Sequence, residues 1–483
     1  MSVGQALSNA LSGLSAAGRR ASVTANNIAN AQTEGFAARR VDLAERVTAG
    51  VGAGVEVAGV QRAVAPAVTA ERRIADAELA GEEAAAEALS RIVDRIGDPE
   101  DARSLVQVFG RFERALSALA NTPDDGALQS GAVRAANGVA GSLNALSNEI
   151  QQSRVDADAR IERSVEDVNN SLRQIERLNA SIASGAASNA DVNALIDERA
   201  RLIDRVNQNI PVRAVERGGG VDLVTAEGVF LLSGTARQLS FKPSPVITPQ
   251  NALGSGLSGL EVDGVEITPG AAPNAPQQGA LAGLFSVRDQ IAPSLSAAVD
   301  AVALDVAERF SGGIDATIAF DAPGLFTDAG ALATEVGIDG LAGRFAVNAA
   351  VDPENGGEAR RLRDGLGANA PGPVAADGLL RDFIDALREP RTTPSALGAS
   401  RALNASEAAA FFTSSAAGSL VDAEAARDAS AAFAASLQEA EIERTGVDTD
   451  AELQNLLTIE QAYAANARVI QTVDRLLQTL LEI

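Results

Sequence analysis

Two apolar stripes, one at each end of the chain, constrain what it can fold into more than any other feature. Val3, Leu7, Ala10, Leu14, Ala17, Ala21, Thr24 and Ile28 follow one another at alternating steps of four and three, the spacing that keeps side chains on one helical stripe. Ser8, Ser15, Arg19, Arg20 and Ser22 lie off that stripe. Three amides, Asn26, Asn27 and Asn30, precede a break at Thr33-Glu34-Gly35-Phe36. A helix with one apolar face draws most of its stability from packing that face, so it needs a partner. The far end supplies one: Leu456, Ile459, Tyr463, Asn466, Ile470, Val473, Leu477 and Leu480 repeat the spacing, and Leu457, Val469, Leu476 and Leu481 widen it. Periodicity alone leaves open whether these helices cap an ordinary globular fold or pair as a coiled coil.

Composition narrows the function. At 483 residues the chain has room for several domains, since single cores stop growing at roughly 250–300 residues. A formal net charge of −24 argues against nucleic acid, whose binding needs Lys and Arg at the phosphates, and against anionic membrane surfaces. Cysteine and histidine are both absent. There is thus no disulfide framework or thiolate nucleophile, and the commonest general base and metal ligand are missing. These zeros exclude most catalytic constellations, so no enzyme activity, cofactor or metal is expected. No run approaches the ~18 apolar residues of a membrane span, and no basic n-region and continuous apolar h-region open the chain. Membrane insertion and a cleaved signal peptide are therefore not expected, and a secreted role requires another export route.

Between the stripes the pattern is mostly helical. Val51 to Val60 alternates as short extended segments. Asp76 to Ile96 predicts a helix ending at Gly97. Asp98-Pro99, as cap and first turn, opens the next helix, with Leu105, Val108, Phe109, Phe112, Leu116 and Leu119 on one face. Leu128 to Ser184 is the longest helical pattern, with Val139, Leu143, Leu146 and Ile150 on one seam and Ile161, Val165, Val168, Leu172 and Ile175 on another. More than fifty residues at ~1.5 Å each would span about 80 Å and make a rod. Asp191 to Asn209 is a shorter helix stopped by Pro211. The period then switches to two over about 211–241, a β-meander turning at Gly218-Gly219-Gly220. A phosphate cradle there lacks a following Lys-Ser/Thr and helix, so a hairpin turn is the better reading. Pro243 to Pro276 is loop- and strand-rich, and Gly279 to Ser311 predicts a helix kinked or divided at Pro293. Asp352, Glu354 and Asn355 lack the ligand spacing of a calcium loop. Leu379 to Leu387 and Ser406 to Glu443 are helical, and Gly446 exits into the terminal helix. The fold class is mainly α with a mixed α/β or β-rich insertion, an elongated rod of long helices whose N- and C-terminal helices pair as a coiled coil. Three nested domains are expected: 1–45 with 447–483, 46–235 with 397–446, and an outward-facing insertion at 236–396.

Ala25-Asn26-Asn27-Ile28-Ala29-Asn30-Ala31-Gln32-Thr33-Glu34-Gly35-Phe36 resembles the N-terminal signature of the axial proteins of the bacterial flagellum, the rod, hook and hook-associated proteins. Phe109-Gly110-Arg111-Phe112, Val192-Asn193-Ala194-Leu195-Ile196-Asp197-Glu198-Arg199, the tail Leu453-Gln454-Asn455-Leu456-Leu457, and Glu460-Gln461-Ala462-Tyr463 resemble the hook-associated family of the hook–filament junction. So do Gly313-Ile314-Asp315 and Pro323-Gly324-Leu325-Phe326. Phe36-Ala37-Ala38 departs from that family's Tyr and polar residues.

The resemblance implies a flagellin-like nested arrangement and a structural, non-enzymatic subunit that self-assembles as an axial layer. It implies contacts with the hook protein below and with the second junction protein and filament above. It also implies type III export, with a flagellar export chaperone on the C-terminal helix, and an extracellular place on the flagellum. Leu7, Leu11, Leu14, Ile28, Asn26, Asn27, Asn30, Gly35 and Phe36 are the expected interface residues at one end. Leu456, Tyr463, Ile470, Val473, Leu477 and Leu480 are those at the other. Both ends are expected to be unfolded in the isolated subunit and to fold on assembly. The competing readings are a hook or distal-rod protein, and a secreted scaffold with an enzymatic insertion using carboxylates such as Asp321 and Asp328.

Overall fold

A computed structural model describes residues 3–33, 35–48, 51–98, 100–188, 190–311 and 313–481. Sixty per cent of the chain is helical, with a long helix at each end and a small sheet-containing insertion. It divides into two compact units, Met1–Leu79 with Glu166–Gln238 and Ser430–Ile483, and Ala80–Val165 with Leu239–Ala429.

The first unit begins with α1 (Val3–Asn30), followed by an antiparallel ribbon of β1 (Arg39–Thr48) and β2 (Val51–Arg62) that packs on α1. The sequence signals only the β2 half of that ribbon. Its partner, Arg39-Arg40-Val41-Asp42-Leu43-Ala44-Glu45-Arg46, carries too many charges to show a clean alternation. Next comes α2 (Pro66–Ile96), which starts ten residues before the expected Asp76, with Pro66 in its first turn, where the missing N–H costs nothing. Gly97, at φ +81°, closes it.

The helix α3 (Leu105–Asn121), which lies in the second unit, corrects the cap read from the sequence. Asp98 and Asp101 bond the backbone N–H groups of Glu100 and Arg103, as turn residues do, and Ser104 caps the helix by accepting from the Gln107 N–H at 3.4 Å. Pro99 lies outside the described residues. The longest helix, α4 (Gly126–Ala187), is unbroken over 62 residues. Then α5 (Asn193–Asn209) leads into the meander, a four-stranded antiparallel sheet ordered β3 (Val212–Arg217), β4 (Gly220–Thr225), β5 (Phe230–Ser233), β6 (Thr235–Ala236). Gly218 and Gly219 both have positive φ, +57° and +87°, the requirement of a two-residue hairpin turn.

In the second unit, α6 (Ala280–Ser286) continues through a π-turn, Val287–Ile291, into α7 (Ala292–Arg309). Pro293 falls in the first turn of α7, directly after the π-turn that separates α7 from α6, a position where its missing N–H is tolerated. This segment is long and apolar enough to cross a bilayer, but its apolar window is 61% buried inside the fold, as befits a core helix. Around it lie the short turns α8 (Leu341–Arg344) and α9 (Arg361–Asp364), and α10 (Gly378–Arg388). Five buried rings, Phe112, Phe310, Phe326, Phe345 and Phe383, form a connected cluster with centroids 5.0–5.9 Å apart, each pair worth about 0.5–1.5 kcal/mol beyond the area it buries. Arg309 is also buried: it pairs with Asp305 one turn away and donates to the Ala386 and Glu389 carbonyls at the end of α10, both at 2.7 Å, which that end would otherwise leave open, and to the Leu403 carbonyl at 2.8 Å. The chain closes with α11 (Ala405–Thr445) and α12 (Thr449–Leu481).

Candidate assembly surface at the paired termini

Helices α1 and α12 pack against each other. The Asn466 amide lies where a side chain on Gly13 would begin, 2.8 Å from an ideal Cβ. Asn27 donates to Glu452 Oε1 at 2.7 Å. From Gly13 to Asn27 and from Glu452 to Asn466 the two helices advance by the same two heptads in opposite directions. The pair is therefore an antiparallel coiled coil held in one register.

Few large side chains of either helix are buried. On α1 the buried side chains are Ala10, Ala16, Ala17, Val23, Thr24 and Asn27, and on α12 only Ile459 and Val473 among the described residues are buried. The larger side chains flank this seam. Leu7, Leu14 and Ile28 are half-buried, as is Ile470, and Leu11 is 51% exposed. Leu456, Tyr463 and Leu477 are 36%, 48% and 40% exposed. The apolar stripe of α12 thus splits in two: Ile459, Asn466 and Val473 sit on the side of α1, while Leu456, Tyr463 and Leu477 form an open flank. Leu480 belongs to α12, but its side chain lies outside the described residues, as does Glu34.

The amide cluster divides in the same way. Asn27 is fully buried, and its amide both donates to the Arg39 carbonyl at 2.8 Å and accepts from the Arg39 N–H at 3.0 Å, as a neighbouring strand would. Asn26 is exposed and accepts from Arg39 at 3.4 Å, and Asn30 bonds the Asn26 carbonyl and Thr33. Gly35 has φ +73°, and a Cβ there would meet the Arg201 side chain at 2.8 Å. Phe36 lies under the Arg39 guanidinium, 4.8 Å from ring centroid to Cζ.

Sequence reasoning missed the ion cluster behind these residues. Asp197, 3% exposed, accepts from Arg39 at 2.8 Å and from Arg62 at 2.6 Å, and Asn193 donates to the Val60 carbonyl at 2.9 Å. The Asn193 to Arg199 motif of α5 therefore anchors both strands of the ribbon. Nearby, Arg72 is bound by Glu441, Asp76 and Asp204, and these carboxylates outweigh burial and hold its pKa above the ordinary value.

Where the ribbon meets α1 there is a groove of about 590 Å³, with Leu7, Leu11, Val55 and Val57 in its walls and Ser8, Ser15 and Arg46 among its polar residues. Ser12 accepts from the Val55 N–H at 3.1 Å, and Gly54 permits this approach, because a Cβ there would fall 2.1 Å from Ser12 Oγ.

Elsewhere the chemistry is structural. Asp328 holds Arg344 with both oxygens, at 2.7 and 2.9 Å, and Asp321 is an exposed turn residue. A smaller cavity at the Gly218 turn is lined by Arg217 and Asp222, which pair with each other at 3.2 Å. Among the described residues no group of three or more Asp or Glu is arranged to hold a metal ion.

Three family models match the chain: the flagellar hook-associated protein FlgK helical domain at residues 89–313, the flagellar basal body rod FlgEFG protein C-terminal region at 438–483, and the flagella basal body rod protein at 7–36. Flagellar hook-associated protein 1 of Escherichia coli is 27% identical over 63% of this chain and 56% of its own length. The proteins of that name from Salmonella typhimurium and Bacillus subtilis are 30% and 28% identical over 49% and 46% of this chain and 44% and 46% of their own lengths. The chain thus spans about half the length of these curated relatives. The solved flagellar hook junction protein FlgK from Burkholderia pseudomallei aligns with 53% of this chain and 46% of its own, at 22% identity and a TM-score of 0.44. On the family models and the named relatives, the chain is similar to the flagellar hook-associated protein FlgK over its helical domain and to flagellar rod proteins at its two ends.

Proposed function

We propose that this chain is a structural, non-enzymatic subunit that polymerises as an axial layer between the flagellar hook and filament after type III export. One observation carries the reading. The α1–α12 pair buries Ile459 and Val473 and leaves Leu11, Leu456, Tyr463 and Leu477 open, a solvent-facing apolar seam that suits contact with neighbouring subunits. The hook protein is the partner on one side, and the second junction protein and the filament are the partners on the other. An export chaperone covers the open flank of α12 before secretion, since an unpaired apolar seam invites aggregation.

The FlgK helical-domain match at 89–313 favours the junction over a hook or distal-rod role, because the rod-type matches cover only the two ends. The enzymatic reading is disfavoured by the absence of His and Cys and by the pairing of Asp328 with Arg344.

In a strain lacking this protein, electron microscopy is expected to show hooks without filaments, with monomeric filament protein in the medium. The intact chain restores filaments, and a chain lacking Leu477 to Ile483 does not, although its remaining domains fold. Normal filaments on the deletion strain, or full restoration by the shortened chain, would contradict the proposal.

A further inference from the structure

The groove between α1 and the ribbon and the open flank of α12 are both unfilled in the single chain. We infer that they fill each other between copies: the Leu456–Tyr463 flank of one subunit docks into the α1–ribbon groove of the next. This contact deepens the axial reading and rests on it.

Three features converge on a second copy as the occupant. The groove has apolar walls in Leu7, Leu11, Val55 and Val57, matching an aliphatic and aromatic flank. The groove holds both Arg46 and Glu56, and Arg46 offers a cation to the flank. Arg46 bonds Ser8 Oγ at 3.0 Å and the Ala53 carbonyl, with no carboxylate among its described partners. Glu460 lies one turn from both Leu456 and Tyr463, exposed on the same side of α12. Finally, the two patches are different surfaces of one molecule. A contact between unlike patches is head-to-tail, and repeated head-to-tail contacts build a ring or a helical array rather than a closed dimer. An axial layer is such an array.

The chain has no cysteine, which makes cross-linking specific. Val57→Cys and Leu456→Cys are produced together, as separate full-length chains, in cells lacking the native copy, and their flagella are isolated and oxidised. A disulfide dimer containing one chain of each kind is expected, and neither variant alone should give it. Filament-bearing cells without that mixed dimer, or dimers formed equally by one variant alone, would overturn the inference while leaving the axial role intact. If even the parent chain restores no filaments, the axial role fails and this contact with it.

A charge exchange covers the case in which a cysteine variant fails to assemble. Arg46→Glu and Glu460→Arg should each lower the number of filaments per cell several-fold, and the double variant should recover most of the loss. Failure to recover would overturn the proposed contact.

Discussion

Asn27 is the side chain through which both ends of the chain are tied to the ribbon. It satisfies the Arg39 N–H and C=O and reaches Glu452 on α12. Replacing it with Ala would strand buried backbone groups, at about 2–3 kcal/mol of stability, measurable by chemical denaturation. A loss below ~0.5 kcal/mol would mean that water takes its place. Asp197→Ala should cost more, about 3–5 kcal/mol, because it leaves Arg39 and Arg62 without their carboxylate.

Asp300 gives a pH signature. Burial raises its pKa to about 6, although the Gly340 and Ala342 N–H groups donate to it at 2.7 Å. The folded state therefore holds this proton more tightly than the unfolded chain does. The stability it confers is complete below about pH 4 and is lost as pH rises through about 6. Comparing Asp300→Asn with the parent, the difference in unfolding free energy should shift in the variant's favour by about 2–3 kcal/mol from pH 4 to pH 7. A shift of opposite sign would mean that the two hydrogen bonds outweigh burial. These roles were only partly legible: the sequence singled out three amides and the Asn193 to Arg199 motif. Which amide is buried, and that Asp197 meets Arg39 and Arg62, depends on contacts more than a hundred residues apart, which no local pattern encodes.

Elements were easier to read than residues wherever the periodicity was long. The helices α1, α4 and α12 repeat over many turns, and each was evident from its spacing. Their ends were less so: α2 begins at Pro66, ahead of its strongest apolar pattern, and α3 waits for Ser104 because the two aspartates before it serve turns. The strand β1 was hidden by its charges, since a ribbon packed on one helix needs no clean alternation. The split of α12 into two flanks was also hidden, because spacing shows which residues share a stripe and not how much of it one partner covers.

The pairing of α1 with α12 gives both ends a partner in the single chain, yet several large side chains of α12 remain open. Amides in 3–30 and 449–481 are therefore expected to exchange rapidly in dilute protein and slowly in assembled flagella, and equal protection in both states would contradict the seam. Gly13→Val would meet Asn466 and part the helices. Faster exchange in both segments of assembled flagella is expected, with the Phe112–Phe326 core unchanged.

For the whole molecule, the net charge of −24 and the lack of cysteine bear on solubility and on disulfide chemistry and do not determine the architecture. The two ends match rod-type models at 7–36 and 438–483. The central claim is that internal pairing and assembly use different residues of α12. It is tested most directly by counting filaments under the electron microscope in cells whose only copy carries Leu456→Ser, Tyr463→Ser and Leu477→Ser together. Because Ile459 and Val473, the buried pair, are untouched, the account predicts a folded, exported chain and hooks that bear no filaments. Filaments at the parent's number on those hooks would contradict it.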